Sequence, residues 1–138
     1  LDFGSGLGDL KKKIIKKTNN KVINYEVVDG LSEVNHWSHV NFDIIIFSQV
    51  LYLLTPDELK DLLLKLKKHN NKLIIICAFS TQSLVNKIGK IILAHSDAHD
   101  DTKTTPQEEE KLLLNFCDLI EKKNFFNIFK ILKLKFKD

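Results

Sequence analysis

Arginine is absent from the 138 residues, and all 21 basic side chains are lysine. The absence of the planar guanidinium fork counts against bidentate reading of phosphate or guanine. Net charge is only +3, with no long basic run, so a nucleic-acid partner is not favoured. Cysteine is scarce. Cys77 and Cys117 each lie inside an apolar run, the setting of buried free thiols in a reducing compartment. The longest uninterrupted apolar run, residues 73–79, is far below the roughly 20 residues a membrane span needs. No signal-peptide pattern occurs either, so the expectation is a cytoplasmic protein. Methionine is absent too, and the chain opens inside a motif at Leu1-Asp2, as expected of a fragment that has lost its N-terminus.

The remaining composition, 43% hydrophobic and 28% charged, is that of one globular domain spanning residues 1–138. Residues 1–3 read as the tail of a strand, followed by a glycine turn and a helix over 9–17 that Asn19-Asn20 breaks. Residues 22–28 are rich in β-branched and aromatic side chains and run as a strand into Asp29-Gly30. Trp37, between His36 and His39, reads as a core plug before a ring that stacks on a ligand. Residues 42–47 and 73–79 are near-continuous apolar runs, the pattern of strands covered on both faces. Between them Thr55-Pro56-Asp57-Glu58 opens a helix reaching about residue 68, with Leu59, Leu62, Leu63 and Leu66 on one side. A second amphipathic helix is expected over 82–95, then a polar loop over 96–105. Thr105-Pro106-Gln107-Glu108 repeats the capped start for a helix to about 123, and 125–136 reads as a strand. Strands alternating with helices give the expected fold class: α/β, a doubly wound, mostly parallel sheet with helices on both faces.

The stretch Asp2-Phe3-Gly4-Ser5-Gly6-Leu7-Gly8 carries the functional signal. Glycines at alternate positions of a strand-to-helix turn let the backbone approach a ligand, and the free helix N–H groups favour an anionic one. A dinucleotide fingerprint needs glycine at the first, third and sixth positions. Counted from Gly4, the sixth position is Asp9, a carboxylate that would repel a pyrophosphate, so an NAD-dependent oxidoreductase is a weak alternative. Asp29, at the end of the second strand, is placed to accept ribose hydroxyls. Glu26 reads as a poorer substitute, because Val27-Val28 puts it inside the strand. Ser48 and Gln49 fall at the carboxyl end of the next apolar strand, where open α/β sheets bind ligands.

An acidic residue two before the first glycine, an acid after the second strand, and the segment Phe42-Asp43 through Val50-Leu51 resemble, in order, motifs of the class I S-adenosylmethionine-dependent methyltransferases. The resemblance covers residues 1–80. It implies a Rossmann-like fold in which Asp2, Gly4, Ser5, Gly6, Gly8, Asp29, Ser48 and Gln49 surround S-adenosylmethionine. It implies methyl transfer to a small-molecule acceptor, with residues 1–80 as the cofactor-binding half and 81–138 as the substrate-side half. The spacing shows two departures. Residues 30–42 leave little room for the family's third strand, and its final antiparallel strand has no clear counterpart. A non-catalytic methyltransferase-like binding module is therefore an alternative, and the lysine-bearing helix over 82–95 raises a weaker one, a membrane-surface protein.

His95, Asp97, His99 and Asp101, with Asp100, could supply nitrogen and oxygen ligands to a divalent metal. The segment has the composition of a helix end running into a loop, so a solvated loop without metal is the preferred reading, with His99 or Asp97 open as a general base. No catalytic residue and no oligomeric state can be read from the pattern.

Overall fold

The computed structural model describes residues 1–28, 30–80, 103–126 and 129–138. Asp29, the expected helix over 82–95 and the acid–histidine cluster from His95 to Asp101 lie outside the described residues.

Six strands form one mixed sheet: β1 (Asp2–Phe3), β2 (Asn24–Tyr25), β3 (Ile44–Ser48), β4 (Ile74–Ser80), β5 (Cys117–Phe125) and β6 (Phe129–Phe136). Their order across the sheet is β2-β1-β3-β4-β6-β5. The pairs β1–β2, β1–β3 and β3–β4 are parallel, whereas β6 runs antiparallel to both β4 and β5. Helix α1 (Asp9–Lys17) connects β1 to β2, α2 (Pro56–His69) connects β3 to β4, and α3 (Pro106–Phe116) precedes β5.

Helices α2 and α3 start where their sequences dictate. Thr55 and Thr105 each accept the backbone N–H three residues on, and Glu58 and Glu108 reach back to complete two capping boxes. Four leucines spaced along α2 (Leu59, Leu62, Leu63, Leu66) then bury against one sheet face. That core also contains Ile45 and Phe47 of β3, Ile75, Cys77 and Phe79 of β4, Leu132, Leu134 and Phe136 of β6, and Leu113 of α3. Trp37 belongs to it, 5% exposed, against Phe42 and His69, which confirms the core-plug reading.

Three expectations need correction. The helix expected to reach residue 123 ends at Phe116, and Cys117–Phe125 is a strand. Residues 117–123 show no clean strand alternation, and pairing with β6 decides in favour of the strand. The antiparallel strand without a clear counterpart is β6, and together with β5 it makes a long hairpin bulged between Leu119 and Glu121. The strand expected over 22–28 is Asn24–Tyr25, paired in parallel with Asp2–Phe3, and its ladder stops where β1 gives way to the glycine turn at Gly4. Among the described residues between β2 and β3 there is no strand, as the short spacing implied; a turn of 3₁₀ helix, Trp37–His39, stands there.

Candidate functional site

The glycine turn lies at the carboxyl end of β1. Gly4 (φ 71°), Gly6 (φ 51°) and Gly8 (φ 73°) all occupy the left-handed region that disfavours other residues. At Gly4 space is also decisive, since a Cβ would sit 2.4 Å from Cγ2 of Val50. Val50 follows Ser48 and Gln49, so this contact draws the glycine turn against the carboxyl end of β3. Over Gly6, by contrast, a Cβ would meet nothing within 4 Å, which leaves the turn open to a ligand. Gly8 caps α1 without any side-chain hydrogen bond, so the positive end of that helix faces the same region.

Asp2 is 1% exposed and its Oδ2 has no hydrogen-bond partner. Burial pushes its carboxyl above the usual carboxylate range, and Glu26 adds to the rise. Two further buried polar atoms are orphaned beside it, Oγ of Ser5 and Oδ1 of Asn24. Buried polar atoms in folded proteins are overwhelmingly paired, so these three atoms, on neighbouring residues of β1, β2 and their turn, are acceptors that water or a polar ligand would satisfy.

Glu26 stands immediately beyond β2, not inside it. Its Oε2 accepts the Gly6 N–H at 2.9 Å and its Oε1 accepts the Val27 N–H at 2.8 Å. Only the expected length of β2 speaks against Glu26, and the shorter strand removes that objection. The signal in the sequence is the acid itself, directly after the strand's aromatic Tyr25. Each carboxylate oxygen keeps further acceptor capacity.

Ser48 ends β3 opposite Ala78 of β4, and Gln49 donates its N–H to the Ala78 carbonyl at 3.0 Å. Gln49 has φ 55°, one of two non-glycine residues with positive φ among those described. Strain of that kind concentrates at ligand sites. The structure therefore brings Asp2, Gly4, Ser5, Gly6, Gly8, Ser48 and Gln49 to one edge of the sheet and adds Glu26 and Asn24. Asp9, which counts against a dinucleotide, opens α1 with its carboxylate on Lys12 at 2.9 Å. Among the described residues no cluster of three or more metal-ligating side chains occurs, and no helix is long and apolar enough to cross a membrane.

No family model matches the chain, and no curated protein matches it by sequence. Solved structures do match. The PH0226 protein of Pyrococcus horikoshii OT3 aligns over 99% of this chain and 81% of its own, with a TM-score of 0.72 at 11% identity. The N,N-8-amino-8-demethyl-D-riboflavin dimethyltransferase RosA of Streptomyces davawensis aligns over 70% of this chain at 12% identity, with a TM-score of 0.51. That alignment spans 30% of the Streptomyces enzyme, so the likeness is to one portion of it. With its strand order and its single reversed strand β6, the chain has the fold of the class I S-adenosylmethionine-dependent methyltransferases.

Proposed function

We propose that the chain binds S-adenosylmethionine at the glycine turn and transfers its methyl group to a small-molecule acceptor. One observation supports this above the others: the three orphaned buried atoms of Asp2, Ser5 and Asn24 lie next to a glycine turn that is open above Gly6. When bound, the cofactor supplies an electrophilic methyl group on a sulfonium. The chain's own task is then to hold and align, since transfer between well-placed partners needs a base only if the acceptor must lose a proton.

In this reading Asp2 and Ser5 receive the amino-acid end of the ligand, and Gly4, Gly6 and Gly8 shape the turn that admits it. Glu26 takes the ribose hydroxyls, with Asp29 as the rival carboxylate three residues on, while Ser48 and Gln49 border the transfer point. Residues 1–80 form the cofactor half and 81–138 the acceptor half of a cytoplasmic enzyme. The sheet is read as doubly wound: right-handed crossovers leaving β1 and β3 in opposite directions put α1 and α2 on opposite faces.

Calorimetric titration with S-adenosylhomocysteine, with NAD as control, tests the assignment. Binding of the first alone, at about micromolar Kd, is expected. Glu26→Gln is expected to weaken it about tenfold or more, the loss of a charge-assisted hydrogen bond. Asp29→Ala, measured beside it, decides between the two carboxylates. A folded chain that binds neither compound overturns the reading.

A further inference from the structure

In the parallel register of β1 and β2, Asp2 stands opposite Asn24 and Phe3 opposite Tyr25. Side chains alternate along each strand, so the two pairs leave opposite faces of the sheet. Phe3 and Tyr25 pack ring against ring at 5.0 Å, and Phe3 also meets Phe47 of the packed face at 5.2 Å. Asp2 and Asn24 therefore share the other face. Helix α1 starts there, since a Cβ on its cap Gly8 would lie 2.4 Å from Nδ2 of Asn24.

The polar atoms gathered at this spot are short of donors. Oδ2 of Asp2 and Oδ1 of Asn24 have no partners, and the nearby Ser5 hydroxyl has none either. Among the described residues the charged groups facing Asp2 are the Glu26 carboxylate and the Leu1 amino group. Glu26 repels an anion, and the Leu1 amino group donates to the Ile44 carbonyl at 2.7 Å. On α1, Lys11 is taken by Glu33 and Lys12 by Asp9. The positive end of α1 favours an anion, but none of its N–H groups bonds Oδ2. At 1% exposure, an ionised Asp2 thus meets burial and a like charge with no hydrogen bond to Oδ2 in return. A proton on the carboxyl removes the conflict and makes the group a donor.

We propose that ligand binding at the glycine turn is proton-linked through Asp2: the empty site keeps a proton on this carboxyl, and a ligand ammonium displaces it to the solvent. The O–H bond of Asp2 breaks, its proton passes to the buffer, and an ammonium N–H donates to the freed carboxylate. No bond of the ligand changes. The inference rests on the S-adenosyl reading and gives the amino-acid end of that ligand a measurable signature. Affinity then rises with pH until the empty site no longer holds the proton, and levels off above that point.

The test is calorimetric titration of the chain with S-adenosylhomocysteine at about pH 5 and about pH 8, each in two buffers of different ionisation enthalpy. At the lower pH the heats should differ between buffers and report release of well over about 0.1 proton per ligand, the most an aspartate of ordinary pKa would give there. At the higher pH they should agree. Methylthioadenosine, which keeps the ribose and lacks the ammonium, should bind without release, and this separates Asp2 from Glu26. Asp2→Asn should release no proton, approach the parent at the lower pH, and bind about tenfold more weakly at the higher. The parent measurements decide the matter even if that variant does not fold. A folded chain that fails to bind S-adenosylhomocysteine overturns the cofactor reading and this inference with it. Binding with release of about 0.1 proton or less means that Asp2 is already ionised in the empty site, and equal release with methylthioadenosine means that the proton comes from another group. Either result overturns the proton linkage and leaves the cofactor reading in place.

Discussion

The two faces of the central strands differ sharply although they share the same backbones. On one face Ile45, Phe47, Ile75, Cys77, Phe79, Leu132 and Leu134 are buried under α2 and α3. On the other, the alternating residues Ile46, Ile74, Ile76, Ala78 and Ile131 are only half-buried, and Ile44 is 43% exposed. In β3 and β4 every one of these is apolar, and only β6, with Lys133 and Lys135 beside Ile131, differs between its faces, so composition in the two central strands does not separate them. The capped, leucine-lined helices do, and they make the packed face the seat of stability.

The largest expected effect comes from that contrast. Phe47→Ala opens a cavity in a core without room to collapse, and should cost about 3–5 kcal/mol in urea denaturation. Ile44→Ala on the open face should cost about 1 kcal/mol, since Ile44 is 43% exposed and gives up far less buried surface than Phe47. Comparable losses at the two positions would mean that the open face is covered in solution and that the contrast between faces is wrong.

The packed face also holds one misfit. Glu109 of α3 is 3% exposed and accepts one hydrogen bond from the Thr104 hydroxyl at 3.2 Å. Burial raises its pKa from 4.5 to about 7, with the Thr104 bond opposing and Glu108 adding to the rise. Between those values the folded chain holds a proton that the unfolded chain has lost. Stability contributed by this group is therefore complete below about pH 4.5, falls through the window, and stays low above about pH 7. Glu109→Gln keeps an acceptor for Thr104 and removes the charge. It should match the parent near pH 4.5 and exceed it by of order 3 kcal/mol above pH 7. Parallel pH profiles for the two chains would show that water reaches the carboxylate.

How far the sequence foretells this arrangement depends on whether the signal is local. The glycine turn, α1 and both capped helix starts are written in contiguous residues, and the structure places them where the spacing implies. The strands β3 and β4 are legible as apolar runs because both faces are apolar, even though only one is fully covered. Features that depend on partners far along the chain are not legible in this way. Residues 117–123 become strand through a ladder with β6, and β2 stops at Tyr25 because its partner β1 turns away at Gly4. Glu26 is misjudged from sequence for that same reason, so an error in strand length becomes an error in the site.

The smallest effects concern the caps that hold α2 and α3 against the packed face. Thr55→Ala and Thr105→Ala each delete a side-chain acceptor for an otherwise orphaned N–H, and each should cost about 1 kcal/mol. Glu58 and Glu108, the other halves of the two boxes, are held below the ordinary glutamate range chiefly by the N–H groups of Thr55 and Thr105. Their contribution has the opposite sign from that of Glu109: it is present above the unfolded pKa and is lost as pH falls through the lowered folded one. Urea denaturation of the two single variants and the double at neutral pH checks this, and the losses should add to within about 0.5 kcal/mol if the caps act independently. The two helices differ at their C-terminal ends: α2 ends at Asn70, whose side chain donates to the Phe42 carbonyl at 3.1 Å and accepts the Lys72 N–H, whereas α3 runs directly into β5 at Cys117. A clearly smaller loss at Thr105 would mean that α3 is fixed from its C-terminal end by the hairpin, and that this half of the packed face is organised by β5 and β6 rather than by its cap.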